Sequence, residues 1–333
     1  MLQLDLSAAI AAAKRNKAKV IAVQAPEGLK PRLPEIILEL EGKTGAAVFA
    51  FADPCFGACD AADERAKALG ADLLVHLGHS QLLPKNAVET VFLPLSHDFE
   101  KKKIAVLAER LAKMLKVEKL ESAALCATIQ FHPHLNELKK SLESRKIKCF
   151  IGKGRSVSCG QVLGCNYSAV KSAEKKADAV VFLGDGLFHP LGISFCTEKP
   201  VFAADPLQAE AKKIGGEMDL FFRKRTAMIE KARQAGAIAV WVSSKPGQRR
   251  MKVALELKKK IEEKGKMAFI FASDFINPDY ILGVQAGAIV CTACPRIALD
   301  DSGSYRIPIV NPNEMLIALG EKKLEEYCFE EMQ

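Results

Sequence analysis

The sequence predicts an α/β protein of three tandem Rossmann-like subdomains, each with a parallel sheet, set around a pseudo-threefold axis. Three observations predict it. Short, continuously apolar segments alternate with amphipathic ones along all 333 residues, the pattern of parallel strands covered on both faces by helices. The segment 59–78 lies on 165–184 at an offset of 106 residues without a gap, with Cys59 on Cys165, Ala71-Asp72 on Ala177-Asp178 and Leu77-Gly78 on Leu183-Gly184. A third copy of its buried strand, 288–293, follows at an offset of 216 from the first. A period of about a hundred residues marks duplicated subdomains, because solenoid repeats run at about 20–50.

The first subdomain, 1–100, reads as a helix over 6–14, a strand over 19–24, the turn APEGLKP and a helix over 33–41. A strand over 46–51 runs into DPCFGACD, a helix over 60–69 follows, and strands are expected over 72–77 and 90–93. The second, 101–210, repeats the plan: helix 103–115, strand 122–129, helix 135–144 and strand 148–151. The loop GKGRSVSCGQVLGC then delivers Cys165, ahead of a helix, strand 179–183, the loop GDGLFHPLG and strand 200–204. The third, 211–333, has helix 220–234, strand 237–242, the turn SSKPGQ, helix 249–263, strand 267–272, helix 279–286 and strands 288–293 and 307–310. Here Phe275 stands where the other copies have cysteine, and Cys294 falls opposite Gly78 and Gly184.

Composition narrows the function classes. Forty-nine per cent hydrophobic and 26% charged residues are ordinary for a globular protein, and no apolar run nears the roughly 20 residues that cross a bilayer. The N-terminal segment carries Asp5 early and its basic residues late, the reverse of a secretory signal, so a cytoplasmic protein is expected. The net charge of +8 is weaker evidence than it looks: in 249–266 the lysines face water behind a stripe of Met251, Ala254, Leu257 and Ile261. No basic-aromatic motif of the kind base stacking needs is present, so no direct nucleic-acid binding is expected.

Ten cysteines are many for a reducing compartment. Three of them, Cys59, Cys165 and Cys294, each lie just past a strand's carboxyl end, the edge where open parallel sheets bind ligands. Disulfides would leave one of the three unpaired, and structural zinc wants four protein ligands, usually in close CxxC pairs. Cys291 makes such a spacing with Cys294 but reads as strand core, as do Cys126, Cys149 and Cys196 in their apolar contexts. Cys55 and Cys159 sit in glycine-rich approach loops and stay open. An iron–sulfur cluster on three thiolates, with one iron left for substrate, is the most productive reading; small residues filling turns is the plain one.

The motifs DPCFGACD, GQVLGCNYS, LGDGLFHPLG, KPGQ and TACPRIALDD, in order across residues 26–312, resemble the archaeal diphthamide-biosynthesis radical enzymes. The resemblance implies a homodimer of three-subdomain protomers, each with a 4Fe–4S cluster on Cys59, Cys165 and Cys294. It implies S-adenosylmethionine as cosubstrate, cleaved to a 3-amino-3-carboxypropyl radical that adds to C2 of a histidine in translation elongation factor 2, and an electron donor of unstated identity. The CxxxCxxC loop of conventional radical enzymes is absent, which agrees with the family's non-classical chemistry. Expected adenosylmethionine contacts are Gly184, Asp185, Gly186 and His189 in one loop and Lys245, Gly247 and Gln248 in another, with Lys245 pairing the methionine carboxylate. His132 and His134 read as surface or capping residues and His76 as core. A quinolinate synthase-like dehydratase, also three-subdomain with a three-cysteine cluster, is the nearest alternative; a basic ribosome- or RNA-binding protein without a cluster is the other.

Overall fold

The computed structural model describes residues 2–84, 86–98 and 101–332. Three main sheets follow one another along the chain. The first holds β1 (Val20–Gln24), β2 (Ala47–Ala50), β3 (Leu73–Gly78) and β4 (Glu89–Pro94), all parallel, in the order β2-β1-β3-β4. The second holds β5 (Ser122–Ala127), β6 (Lys148–Ile151), β7 (Ala179–Leu183) and β8 (Val201–Asp205) in the equivalent order, and adds β9 (Glu210–Lys213) antiparallel to β8. The third holds β10 (Ala237–Ser243), β11 (Met267–Ser273), β12 (Ala288–Cys291) and β13 (Ile309–Val310), again parallel in the order β11-β10-β12-β13. In each sheet the strand order reverses between the first strand and the third, the switch point where such sheets open a crevice. A two-residue ribbon, Leu2–Gln3 on Ser96–His97, stands apart.

The duplicated Ala-Asp pair has a structural cause. Asp72 Oδ2 accepts from the backbone N–H groups of Lys19 and Val20, so the start of β3 pins the start of β1. Asp178 Oδ2 does the same at Glu121 and Ser122, and also accepts from Ser122 Oγ. The central strands are wholly buried: β3, β5, β7 and β12 have no residue outside the interior. Their continuous apolar runs follow from having helices on both faces.

Four expectations shift. The helix predicted over 60–69 is a 3-10 turn, Ala58–Asp60, and then a short helix, Asp63–Ala68. The helix predicted over 279–286 is a 3-10 turn, Pro278–Ile281, opened by Asn277 accepting from Asp279 N–H. The loop GDGLFHPLG contains a helix, Phe188–Ser194, with Pro190 in its first turn, where a missing N–H costs nothing. Strand β9 was not expected, because EAKK carries no apolar alternation; its ladder to β8 is backed by Ala211 on the core and by the Lys212–Glu217 and Lys213–Glu118 ion pairs.

The second and third sheets share one hydrophobic core, running from Phe182 and Ile193 through Ile229 and Val240 to Phe329. Phe195 is its hinge-pin, meeting Phe221, Phe222, Tyr327 and Phe329 at ring-centre distances of 5.2–6.2 Å. Beneath it, Arg225 forms a buried bidentate pair with Glu314, at 2.7 and 2.6 Å, and donates to the carbonyls of Ala298 and Ile309. The first sheet has separate cores of its own.

A three-thiol cavity at the meeting of three sheets

Cys59 follows β2, Cys165 follows β6 and Cys294 follows β12, and all three line one cavity of about 200 Å³ together with His189, Arg296 and His79. The third sheet thus sends its cysteine from a different strand than the other two. All ten cysteines are free thiols. Each cavity thiol has protein behind it and the cavity in front. Burial pushes Cys59, Cys165 and Cys294 up, Cys294 to about 12. Mutual repulsion adds to this, Cys165 feeling both Cys59 and Cys294, so burial and repulsion both favour the protonated thiols.

The third sheet also builds the back wall of Cys59. Beyond β10, Pro246–Gln248 forms a 3-10 turn against the turn Ala58–Asp60. Gln248 Nε2 donates to Cys59 Sγ at 3.4 Å, which favours the thiolate and partly opposes burial. Gly247 is required by proximity: a Cβ there would stand 2.5 Å from Cys59 Cα and 2.6 Å from its Cβ. Lys245 Nζ bonds Asp60 Oδ2 at 2.7 Å in the interior and lies over the Phe275 ring, 3.8 Å from its centre. Burial raises the Asp60 carboxyl, and Lys245 works against that. At the second cysteine, Met332 N–H donates to the Cys165 carbonyl at 2.9 Å.

The expected contacts divide accordingly. His189 lines the cavity, its ring stacked on Phe182 at 5.6 Å and 13°, with its pKa lowered to about 4 by burial and the Arg296 charge. Gln248 and Gly247 touch Cys59 from behind. Among the described residues, Gly184, Asp185 and Gly186 lie off the cavity wall: a Cβ on Gly184 would strike the Phe182 ring, Gly186 has φ +69°, and Asp185 is exposed. Lys245 was expected to meet a carboxylate of the cosubstrate, but its partner is Asp60. Among the described residues, the cation lining the cavity is Arg296, held by Asp300 at 2.7 Å and by the Phe188 face at 4.4 Å. Sequence reasoning missed Arg296, although it stands two residues after Cys294 in the motif TACPR. It also missed His79, three residues beyond His76. His76 is buried as expected, and His132 and His134 open a 3-10 turn ahead of helix Leu135–Glu143.

Comparison with known proteins gives the family. A family model described as "Putative diphthamide synthesis protein" matches residues 25–328. This chain belongs to the diphthamide synthesis family. The 2-(3-amino-3-carboxypropyl)histidine synthase of Pyrococcus horikoshii is 38% identical over 322 residues, covering 96% of this chain and 90% of that protein. The Methanocaldococcus jannaschii synthase is 31% identical, over 96% and 89% of the two chains. The crystal structure of Dph2 from Pyrococcus horikoshii with a 4Fe-4S cluster superimposes with a TM-score of 0.91 at 35% identity, covering 100% of this chain and 95% of that one. The quinolinate synthase-like and RNA-binding alternatives give way to this membership. Among the described residues, no helix is long and apolar enough to cross a membrane.

Proposed function

We propose that this protein performs the first step of diphthamide synthesis. It holds a 4Fe–4S cluster on Cys59, Cys165 and Cys294, cleaves S-adenosylmethionine and transfers a 3-amino-3-carboxypropyl group to C2 of a histidine in translation elongation factor 2. The observation that carries this reading is three thiols, one from each sheet, on the wall of a single cavity. The donor set fits the cluster: soft thiolates select iron–sulfur centres, and three of them leave one iron unligated. Ligands raised by burial need a compensating cation to lose their protons, which iron supplies. When bound, the cluster supplies one electron to the sulfonium and an open coordination position beside it.

The chain's own residues bind and orient. Gln248 donates to the Cys59 sulfur and tempers its charge. Arg296 takes the methionine carboxylate, since its planar guanidinium suits a carboxylate and Lys245 is already paired. His189, neutral above about pH 4, presents a ring nitrogen without adding charge. Gly184, Asp185 and Gly186 carry the turn that leads into His189's helix. Val162, Leu163 and Ile129 make part of the wall apolar, which limits water around a reactive radical. We extend the reading to a cytoplasmic homodimer served by a separate electron donor.

Anaerobic reconstitution followed by iron and sulfide counting tests the site. Wild type should hold about four irons per chain. Cys59→Ala, Cys165→Ala and Cys294→Ala should each lose them, while Cys291→Ala, at a fully buried strand position, should keep them. Reduced protein given adenosylmethionine should release methylthioadenosine rather than 5′-deoxyadenosine. A wild-type chain that takes up no cluster sinks the reading.

A further inference from the structure

A second donor cluster lies beside the three-thiol cavity and contains none of its cysteines. Cys55 comes from the loop DPCFGACD, His76 from β3 and His79 from just past its end, and one donor atom of each lies within 4.8 Å of the other two. Cys55 Sγ is 4.0 Å from His76 Nε2, and His76 Nε2 is 3.0 Å from His79 Nδ1.

The tautomer of His76 is fixed by its surroundings. Gln24 Nε2 donates to the Asp60 carbonyl at 2.7 Å and its Oε1 accepts from Ala62 N–H at 2.9 Å, so the amide cannot be turned round. Gln24 Oε1 therefore accepts from His76 Nδ1–H at 2.9 Å. That leaves the Nε2 lone pair pointing at His79 and Cys55. A ligating imidazole tied through its other nitrogen to a buried acceptor is the usual outer-shell arrangement of protein metal sites.

We infer that Cys55, His76 and His79 bind a borderline-soft divalent cation of the zinc type, with the fourth position turned toward the cavity that His79 lines. One thiolate and two imidazoles select zinc over the hard, oxygen-seeking cations. Three protein ligands and one open position are the pattern of a zinc ion that can still take water or substrate. A tetrahedral ion with Zn–N of about 2.0–2.1 Å and Zn–S of about 2.3 Å sets N···N at about 3.3 Å and S···N at about 3.6 Å. The 3.0 and 4.0 Å separations straddle those values and the Cys55–His79 separation lies within 4.8 Å, so closing the site takes side-chain rotations that draw Cys55 toward the two rings. Burial holds both rings neutral, His76 at about 3 and His79 at about 4; His79 Nδ1–H donates to His76 Nε2, so ligation through that nitrogen shifts His79 to its Nε2–H tautomer. Burial also holds the Cys55 thiol at about 12, and a bound dication supplies the charge that removes its proton. The ion would tie the DPCFGACD loop, four residues before Cys59, to the end of β3.

The test uses the full chain with Zn²⁺ and Co²⁺ as probes, after iron–sulfur reconstitution has filled the three-thiol cavity. Wild type should retain about one zinc per chain through gel filtration and show a thiolate-to-cobalt charge-transfer band with Co²⁺. Both should persist in Cys59→Ala and vanish in Cys55→Ser. The half-buried His79→Gln provides a second variant should Cys55→Ser not fold, and should weaken zinc binding at least tenfold. Gln24→Ala, which touches no metal, should weaken it about tenfold by freeing the His76 tautomer. The inference is overturned if wild type retains no zinc, or if zinc and the band survive Cys55→Ser and His79→Gln. It is equally overturned if they disappear only with Cys59→Ala, since the metal then sits on the cavity thiols and the 3.0 Å contact is a plain hydrogen bond.

Discussion

The two junctions of the third sheet are made of different materials. Toward the second sheet it shares a continuous apolar core, with Phe195 set among Phe221, Phe222, Tyr327 and Phe329. Toward the first sheet it offers a buried ion pair, a glycine pressed on a cysteine backbone and an amide on a sulfur. Apolar contact is non-directional and tolerates small shifts, whereas the polar junction fixes position atom by atom. The first cysteine is thus aimed by directional contacts, while the second and third ride on a common core.

Phe329→Ala should strike the apolar junction hardest, lowering stability by about 3–5 kcal/mol in urea unfolding. Its folded fraction should still take up iron; a native-like urea midpoint would show that the shared core is not what joins the sheets. Lys245→Met leaves Asp60 buried without its cation and should cost about 3 kcal/mol, since breaking one partner of a buried pair costs about 3–5. The sign of its pH dependence follows from Asp60. A carboxyl already raised by burial, and raised further without Lys245, favours the protonated folded form, so the deficit should shrink as pH falls. A deficit that grows on acidification would mean that the pair does not carry this junction.

Gly247→Ala tests the same seam sterically, and should cost about 1–3 kcal/mol and reduce iron retention selectively, because the clash is with Cys59 itself. Unchanged iron content would place Cys59's positioning elsewhere. The smallest effect is at His189. Its lowered pKa contributes stability that is present above about pH 6.5 and lost as pH falls through about 4. His189→Gln should flatten that part of the cluster-free chain's pH–stability curve by about 1–2 kcal/mol, given roughly 1.4 kcal/mol per unit and its partial exposure. A curve of unchanged steepness would remove His189 from the acid response.

Periodicity made the sheets legible, because strands covered on both faces read as short apolar runs set between amphipathic helices. The repeat made the three cysteines legible, and the shared Asp72 and Asp178 clamps explain why the register of the copies held. What stayed hidden was pairing across long separations. Nothing near Lys245 announces a partner 185 residues earlier, and a lysine in a glycine turn reads naturally as a ligand contact. His79 was overlooked for a similar reason: its significance lies in a lone pair on His76 whose direction is set by Gln24, 52 residues upstream.

The cavity wall runs in sequence from Phe56 to Arg296, a span of about 240 residues. A ribosome adding about 5–20 residues per second makes the first and last pieces of that wall roughly 12–48 seconds apart. Gln248 follows Cys59 by 189 residues, so for roughly 9–38 seconds of synthesis Cys59 is a thiol without Gln248 or Gly247 behind it. The three-thiol wall is complete only once Cys294 has been made, so any group held by all three thiols is assembled after synthesis of almost the whole chain, whereas Cys55, His76 and His79 are all present within its first quarter.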